Sequence, residues 1–306
     1  IWVAAQDGSS PPRRVTRDGD IWKYPPVWSP DGKRLAFADK HVALRWVDVA
    51  TGKVSTVDTA TADDITEYTW SPDGQWIAYA KTNDTRMQSI WVYSVASGRA
   101  TQLTGDGFNE SSPVFDPKGR YLYFLSNRDY SGLTFSAYEF NYLYANATRV
   151  YAATLTSDGP ALLRPKSDEV AAPVAPAGNG KGGDAKPGDA AKAPAVRIDV
   201  DGFDRRVVAL NAPAGNYAGL AANADGVFFL AGSPQQGGLK LQYLALDADK
   251  PEDVVAGVQS WQLSADGKKA IVRQGNDFSI IDAKPGQDPT KSRLALGDIE
   301  IRVDPR

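Results

Sequence analysis

Short apolar runs such as Leu35-Ala36-Phe37-Ala38, Ile77-Ala78-Tyr79-Ala80 and Tyr121-Leu122-Tyr123-Phe124 alternate along the chain with clusters of Ser, Pro, Asp and Gly. Runs of this length between turn residues predict strands, and no segment keeps the i, i+3, i+4 spacing of an amphipathic helix for long. The runs also repeat. Trp28-Ser29-Pro30-Asp31-Gly32-Lys33-Arg34-Leu35-Ala36-Phe37 returns as Trp70-Ser71-Pro72-Asp73-Gly74-Gln75-Trp76-Ile77-Ala78-Tyr79, and in degraded form as Phe115-Asp116-Pro117-Lys118-Gly119-Arg120-Tyr121-Leu122-Tyr123-Phe124. Fainter copies start at Ala224-Asp225-Gly226 and Ser264-Ala265-Asp266-Gly267. Proline pre-sets φ at the first central turn position, Asp suits the next, and Gly takes the left-handed exit, so each copy predicts a β-hairpin.

A third run follows each hairpin, as in Trp46-Val47-Asp48-Val49 and Trp91-Val92-Tyr93, then a turn at Thr51-Gly52 or Ser97-Gly98 and a fourth run at 54–57 or 100–103. Four antiparallel strands in roughly 42–45 residues is the size of a propeller blade. The expected fold is therefore an all-β propeller filling residues 1–306 as one domain. Third-strand positions at Trp2, Trp46, Trp91, Tyr151, Ile198, Tyr243 and 278–281 predict about seven four-stranded antiparallel blade units, some of them incomplete. The first unit starts too late to carry its inner strand pair. The unit at 197–210 has its inner pair replaced by a segment in which 18 of the 26 residues from 171 to 196 are Ala, Pro or Gly. Such a composition buries too little apolar surface to offset ordering entropy, so 167–196 reads as a flexible Ala/Pro/Gly-rich insert. The two runs at 197–200 and 206–210 are then expected to extend a neighbouring sheet, or to be completed by short strands flanking the insert.

Composition narrows the chemistry. With 34 Lys and Arg against 37 Asp and Glu, the net charge of −3 provides no basic footprint for nucleic acid. No run approaches the ~18 apolar residues of a membrane span. There is no Cys, which removes disulfides and thiolate chemistry, and a single His, His41, which a Ser-His-Asp site or a histidine metal site would have to use. His41 falls in a turn, Asp39-Lys40-His41, where a solvated role is expected. Asp199-Val200-Asp201-Gly202-Phe203-Asp204 lacks the spacing and distal Glu of a calcium loop and reads as a β-turn with acidic edges. No cofactor, metal site or catalytic residue is expected.

One segment carries functional weight. Tyr138, Phe140, Tyr142 and Tyr144 alternate with Glu139, Asn141 and Leu143, so an extended segment presents one aromatic face. Together with Phe135 and Arg128, these are the candidate substrate-channel residues: an apolar, hydrogen-bonding lining for peptides, with Arg128 able to hold a carboxylate bidentately. A satellite core under a long hairpin, and a turn salt bridge at Asn127-Arg128-Asp129, are the competing structural readings.

The Trp-Ser-Pro-Asp-Gly turns, the block Phe115 to Asp129, the aromatic run Leu133 to Tyr142, the low-complexity insert and then Ile198-Asp199-Val200-Asp201-Gly202-Phe203 together resemble the second propeller of tricorn proteases and their bacterial homologues. The resemblance runs over essentially the whole chain and implies a piece of a longer serine peptidase that trims oligopeptides, consistent with an opening, Ile1-Trp2-Val3, that reads as mid-strand. In such proteins the catalytic residues lie in domains C-terminal to this stretch, and none matches a position here. The propeller is then expected to gate or channel oligopeptides. Its partners would be the PDZ-like and protease domains of the same chain, and a homo-oligomer stays open. The resemblance covers cytoplasmic enzymes, with periplasmic or exported relatives as the alternative. The competing class is a stand-alone TolB-like scaffold that binds another protein, since Ser-Pro-Asp-Gly turns occur there too.

Overall fold

The structure, a computed structural model, describes residues 1–129, 134–136, 141–143, 146–162, 194–233 and 238–297. It is all-β, with two single-turn 3-10 helices among the described residues, η1 (Phe203–Arg206) and η2 (Pro289–Ser292). A two-stranded unit, β1 (Trp2–Val3) and β2 (Arg13–Arg14), comes first. Two four-stranded antiparallel meanders follow: β3 (Val27–Trp28), β4 (Arg34–Asp39), β5 (Ala43–Asp48) and β6 (Val54–Thr59), then β7 (Tyr68–Trp70), β8 (Trp76–Thr82), β9 (Gln88–Ser94) and β10 (Arg99–Gln102).

The next blade is interrupted twice. Strands β11 (Glu110–Phe115) and β12 (Tyr121–Ser126) are followed by a separate hairpin, β13 (Thr134–Ser136) with β14 (Asn141–Leu143), before β15 (Arg149–Thr154) rejoins β12. The fourth strand, β16 (Val207–Ala209), arrives after the low-complexity insert and pairs with β15. One more complete blade, β17 (Tyr217–Ala222), β18 (Gly226–Ser233), β19 (Gly238–Ala245) and β20 (Glu252–Ala256), precedes a three-stranded one, β21 (Ser260–Leu263), β22 (Lys269–Gln274) and β23 (Asp277–Asp282). The described residues thus form six blade units plus the β13–β14 hairpin.

The all-β blade architecture matches the sequence expectation, with one element displaced. Residues 197–200, expected as the third strand of a separate unit, are irregular. The Asp199 amide donates to the Leu155 carbonyl at 2.9 Å, and Val196 and Ile198 are buried against Leu122, Phe124 and Leu155. The segment therefore lies along the end of an existing blade. Its successor, β16, extends the neighbouring sheet, so the insert sits between the third and fourth strands of one blade and replaces nothing.

The turn motif closes each hairpin through its side chains. The Ser29 hydroxyl donates to Asp31 Oδ1 at 2.6 Å and accepts from the Arg34 amide at 3.0 Å, while Asp31 Oδ1 accepts from the Lys33 amide at 3.0 Å. Ser71 and Asp73 repeat these bonds, as do Ser264 and Asp266. Gly32, Gly74 and Gly267 take φ of 68°, 65° and 70°, the left-handed region in which a side chain is strained. Where Ser is replaced, another acceptor serves: Asp116 takes the Arg120 amide, and Asn223 takes the amides of Asp225 and Gly226.

Five apolar clusters lie between consecutive units in chain order. The second strands β4, β8 and β12 are buried on both faces, β12 along its full length, whereas β22 of the last blade buries one face only and outer strands such as β6 are largely open to solvent. Phe37, Tyr79, Tyr123 and Phe228, all fully buried, come from second strands. Each such ring contributes about 1.5–3 kcal/mol of burial, which ties the Trp and Tyr content to blade stacking.

Candidate functional site: the inner strands and the base of the aromatic insertion

The first strand of each blade hydrogen-bonds on one side only, to its own second strand, which leaves the other edge facing the propeller axis. Neighbouring inner strands are stitched together by side chains. Tyr68 Oη donates to the Pro25 carbonyl at 2.9 Å and Trp70 Nε1 to the Val27 carbonyl at 3.1 Å, joining β7 to the chain at β3. Between β7 and β11, Glu67 accepts from the Ser112 amide at 2.6 Å and the Ser112 hydroxyl at 3.3 Å. Ser112 stands at φ 52° within a register shift between Ser111 and Val114, so the carboxylate holds a bulged, strained turn of an inner strand in place. Strand β17 has the equivalent shift between Ala218 and Ala221, and there Gly219, at φ 58°, adopts the conformation without a clasp.

Beside that second bulge lies a cavity of about 270 Å³ lined by Gly219, Leu220, Ala221, Trp261, Gln262 and Leu263. Every lining residue belongs to an inner strand, β17 or β21. Trp261 is anchored on its other side by Phe228, at 6.1 Å between ring centroids.

A second constellation lies where the aromatic insertion leaves its blade. Arg128 is ion-paired with Glu110, donates through Nε to Ser126 Oγ at 3.3 Å, and stands 3.5 Å from Asp204. Its guanidinium lies over Phe108, Tyr151 and Phe124, at 5.0, 5.3 and 5.7 Å. Glu110 is fully buried and its Oε2 has no hydrogen-bond partner among the described residues. Burial pushes its carboxyl above the usual carboxylate range, against the opposing pulls of Thr104 and Arg128. Asp204, on η1, also accepts from the Gly105 amide at 3.0 Å, and Phe203 beside it is buried in the interblade core. The cluster thus ties three segments together: the start of β11, the stem of the aromatic insertion and the return of the low-complexity insert.

The expected channel residues divide accordingly. Phe135 and Tyr142 are brought together as a cross-strand pair of β13 and β14. Tyr138, Phe140 and Tyr144 lie outside the described residues. Arg128 is engaged by Glu110 and the aromatic rings, the arrangement of a structural ion pair. Sequence reasoning missed its partners because Asp204 is on the far side of the insert and Glu110 carries no motif. His41 is exposed in its turn, where its amide donates to Asp39 Oδ1 at 3.0 Å. Asp199 accepts from the amide and hydroxyl of Ser157, both at 2.9 Å, and pairs with Arg197. Among the described residues no group of three or more acidic or histidine side chains is placed to hold a metal.

A family profile, that of the tricorn protease second beta propeller domain, matches residues 1–284. The chain belongs to this family. A tricorn protease homolog of Saccharolobus solfataricus is 25% identical over 290 residues, and tricorn protease homolog 1 of Streptomyces coelicolor 23% over 300, each alignment covering 90% of this chain. The chain spans only 25% and 27% of those relatives' length. The crystal structure of the tricorn protease superposes with a TM-score of 0.68 at 19% identity, over 87% of this chain and 25% of that one, a likeness of fold. This tricorn-type propeller therefore keeps the blade architecture of the family, with the Glu110–Arg128 cluster fastening its two insertions.

Proposed function

We propose that this tricorn-type propeller admits and guides oligopeptides to a serine peptidase centre carried elsewhere in the longer protein, in the PDZ-like and protease domains of the same chain. The family membership supports a peptidase parent. The observation that carries the guiding role is the inner wall itself: a row of first strands whose inner edges no other described strand covers, two of them bulged, and an open cleft between β17 and β21. This propeller contributes no group to bond cleavage in this reading. Its one histidine sits in the exposed turn between β4 and β5.

The test uses the full-length protein carrying Gln262→Cys, which adds the one thiol of the propeller chain, beside the unsubstituted full-length protein treated identically as the control for thiols elsewhere. Turnover is read relative to that of the biotin-maleimide-labelled variant before streptavidin is added. Adding streptavidin should abolish turnover of oligopeptides while a small serine-directed inhibitor still labels the catalytic centre. Unchanged peptide turnover with streptavidin bound would refute the access role.

A further inference from the structure

The inner edge of β21 is a recognition surface of a particular kind. In its ladder with β22 the pairs are Ser260 with Arg273, Trp261 with Val272, Gln262 with Ile271 and Leu263 with Ala270. The Ser264 amide donates to the Lys269 carbonyl at 2.8 Å, which makes that the hydrogen-bonded pair and sets the alternation. The backbone groups of Gln262 and Ser260 are thus spent on β22, and the amides and carbonyls of Trp261 and Leu263 point to the free edge. No described residue takes them up. The Trp261 indole N–H is likewise without a hydrogen-bond partner among the described residues, and Nε1 lies 4.0 Å from where a Cβ on Gly219 would stand. Gly219 is what keeps this approach open: its φ of 58° makes the bulge, and its missing side chain leaves the mouth of the cavity clear.

Free main-chain donors and acceptors, spaced two residues apart beside an apolar cavity, form the pattern that binds an extended peptide by strand addition. Main-chain bonds supply affinity, and a pocket for one side chain supplies selectivity. We propose that an extended peptide pairs with the Trp261–Leu263 edge of β21 and inserts one medium-sized apolar side chain, Leu or Ile in size, into the cavity between β17 and β21. The indole N–H of Trp261 donates to a peptide carbonyl at the cavity mouth. A Leu side chain fits this open cleft of about 270 Å³ and covers its mostly apolar lining, a gain that a carboxylate side chain does not make. This proposal rests on the guiding role above and names the substrate class it favours.

The test uses the full-length protein, its peptidase centre blocked by the serine-directed inhibitor, with a fluorescent extended heptapeptide, Thr-Ser-Thr-Leu-Thr-Ser-Thr, read by anisotropy and by hydrogen exchange. Binding is expected to slow exchange at the Trp261 and Leu263 amides and to leave those of Ser260 and Gln262 unchanged. Replacing the central Leu with Asp should weaken binding at least tenfold. N-methylation of the peptide on alternate residues should abolish binding in one phase and spare it in the other. Trp261→Phe, which keeps an aromatic ring beside Phe228 and removes the N–H, should weaken binding severalfold under conditions where its denaturation curve shows it fully folded. Equal binding of both N-methylated peptides, equal binding of the Leu and Asp peptides, or no slowing at Trp261 and Leu263 would overturn the proposal. Failure here with a positive streptavidin block leaves the guiding role standing. Failure of the block while the edge binds peptide removes the role and keeps the site.

Discussion

Replacing Arg128 with Met keeps an unbranched stem among Phe108, Phe124 and Tyr151 and deletes the guanidinium. What remains is the Glu110 carboxyl, fully buried, with Ser126 Oγ 3.2 Å away and Oε2 already unpartnered. Removing one member of a buried ion pair typically costs about 3–5 kcal/mol. Two features reduce that here: Arg128 is 16% exposed, and Glu110 can relieve its isolation by taking a proton. The Asp204 contact is half exposed and contributes little. The expected loss at neutral pH is therefore about 3 kcal/mol. The sign of its pH dependence follows from Glu110. Its folded-state pKa is already raised above the ordinary 4.5, and losing Arg128 raises it further. A raised carboxyl binds its proton more tightly in the folded state, so the stability it contributes is full below 4.5 and is lost as pH rises through the folded value. Arg128→Met should thus be mildly destabilised near pH 4 and increasingly so toward pH 7. In a Glu110→Gln background, where no charge is left behind, the same substitution should cost less than about 1 kcal/mol. Urea midpoints at constant slope measure all four corners of this cycle. A loss of the same size at both pH values, or full stability of the single variant at pH 7, would refute the structural role and favour a peptide-binding one for Arg128.

Asp73 accepts from Ser71 Oγ and the Gln75 amide within its turn and, through Oδ2, from the Val196 amide at 2.7 Å, whereas Asp31 has only the turn bonds. Asp31→Ala should cost about 1 kcal/mol and Asp73→Ala about 1–2 more, measured by chemical denaturation. Gly119→Ala combines a φ of 69° with a Cβ 2.9 Å from Val196 Cγ2, while Gly8→Ala, at φ 70°, meets nothing within 4 Å. The first should lower the midpoint by about 2 kcal/mol and the second by about 1. Replacing residues 175–191 with a few Gly and Ser should change stability by less than about 1 kcal/mol, because closure entropy varies slowly with loop length. A larger loss would show that the insert contributes packing of its own.

The blades were legible because the same turn chemistry recurs with little change: Ser29, Pro30, Asp31 and Gly32 recur as Ser71, Pro72, Asp73 and Gly74, and each copy fixes a hairpin locally. The insertions were not legible at the same level. Counting third strands from Tyr151 to Ile198 assumed even spacing, but 155–206 is a long excursion between β15 and β16, and Val196 and Ile198 bury their side chains without pairing as strands. Strand propensity was real there, and packing against the end of the blade overrode it. The inner-wall features escaped for a related reason. Glu67 and Ser112 are 45 residues apart and meet only because one blade follows another. The Gly219 bulge was hidden in Tyr217-Ala218-Gly219-Leu220-Ala221, which carries no proline or aspartate to mark it. Arg128 was expected as a channel residue or in a turn salt bridge; its ion pairs run to Glu110, 18 residues back, and to Asp204, 76 residues on beyond the insert.

The most direct test of the guiding role is to map where a peptide travels during turnover. Full-length protein is incubated with a benzophenone-bearing oligopeptide under steady-state hydrolysis, irradiated briefly, and the crosslinked residues are located by peptide mapping. The account predicts labels concentrated on the inner strands, at β11, β17 and β21, with β21 near Trp261 and Leu263 the strongest. Labels confined to outer strands such as β6, β10 and β20, or absent from the propeller while hydrolysis proceeds, would contradict it.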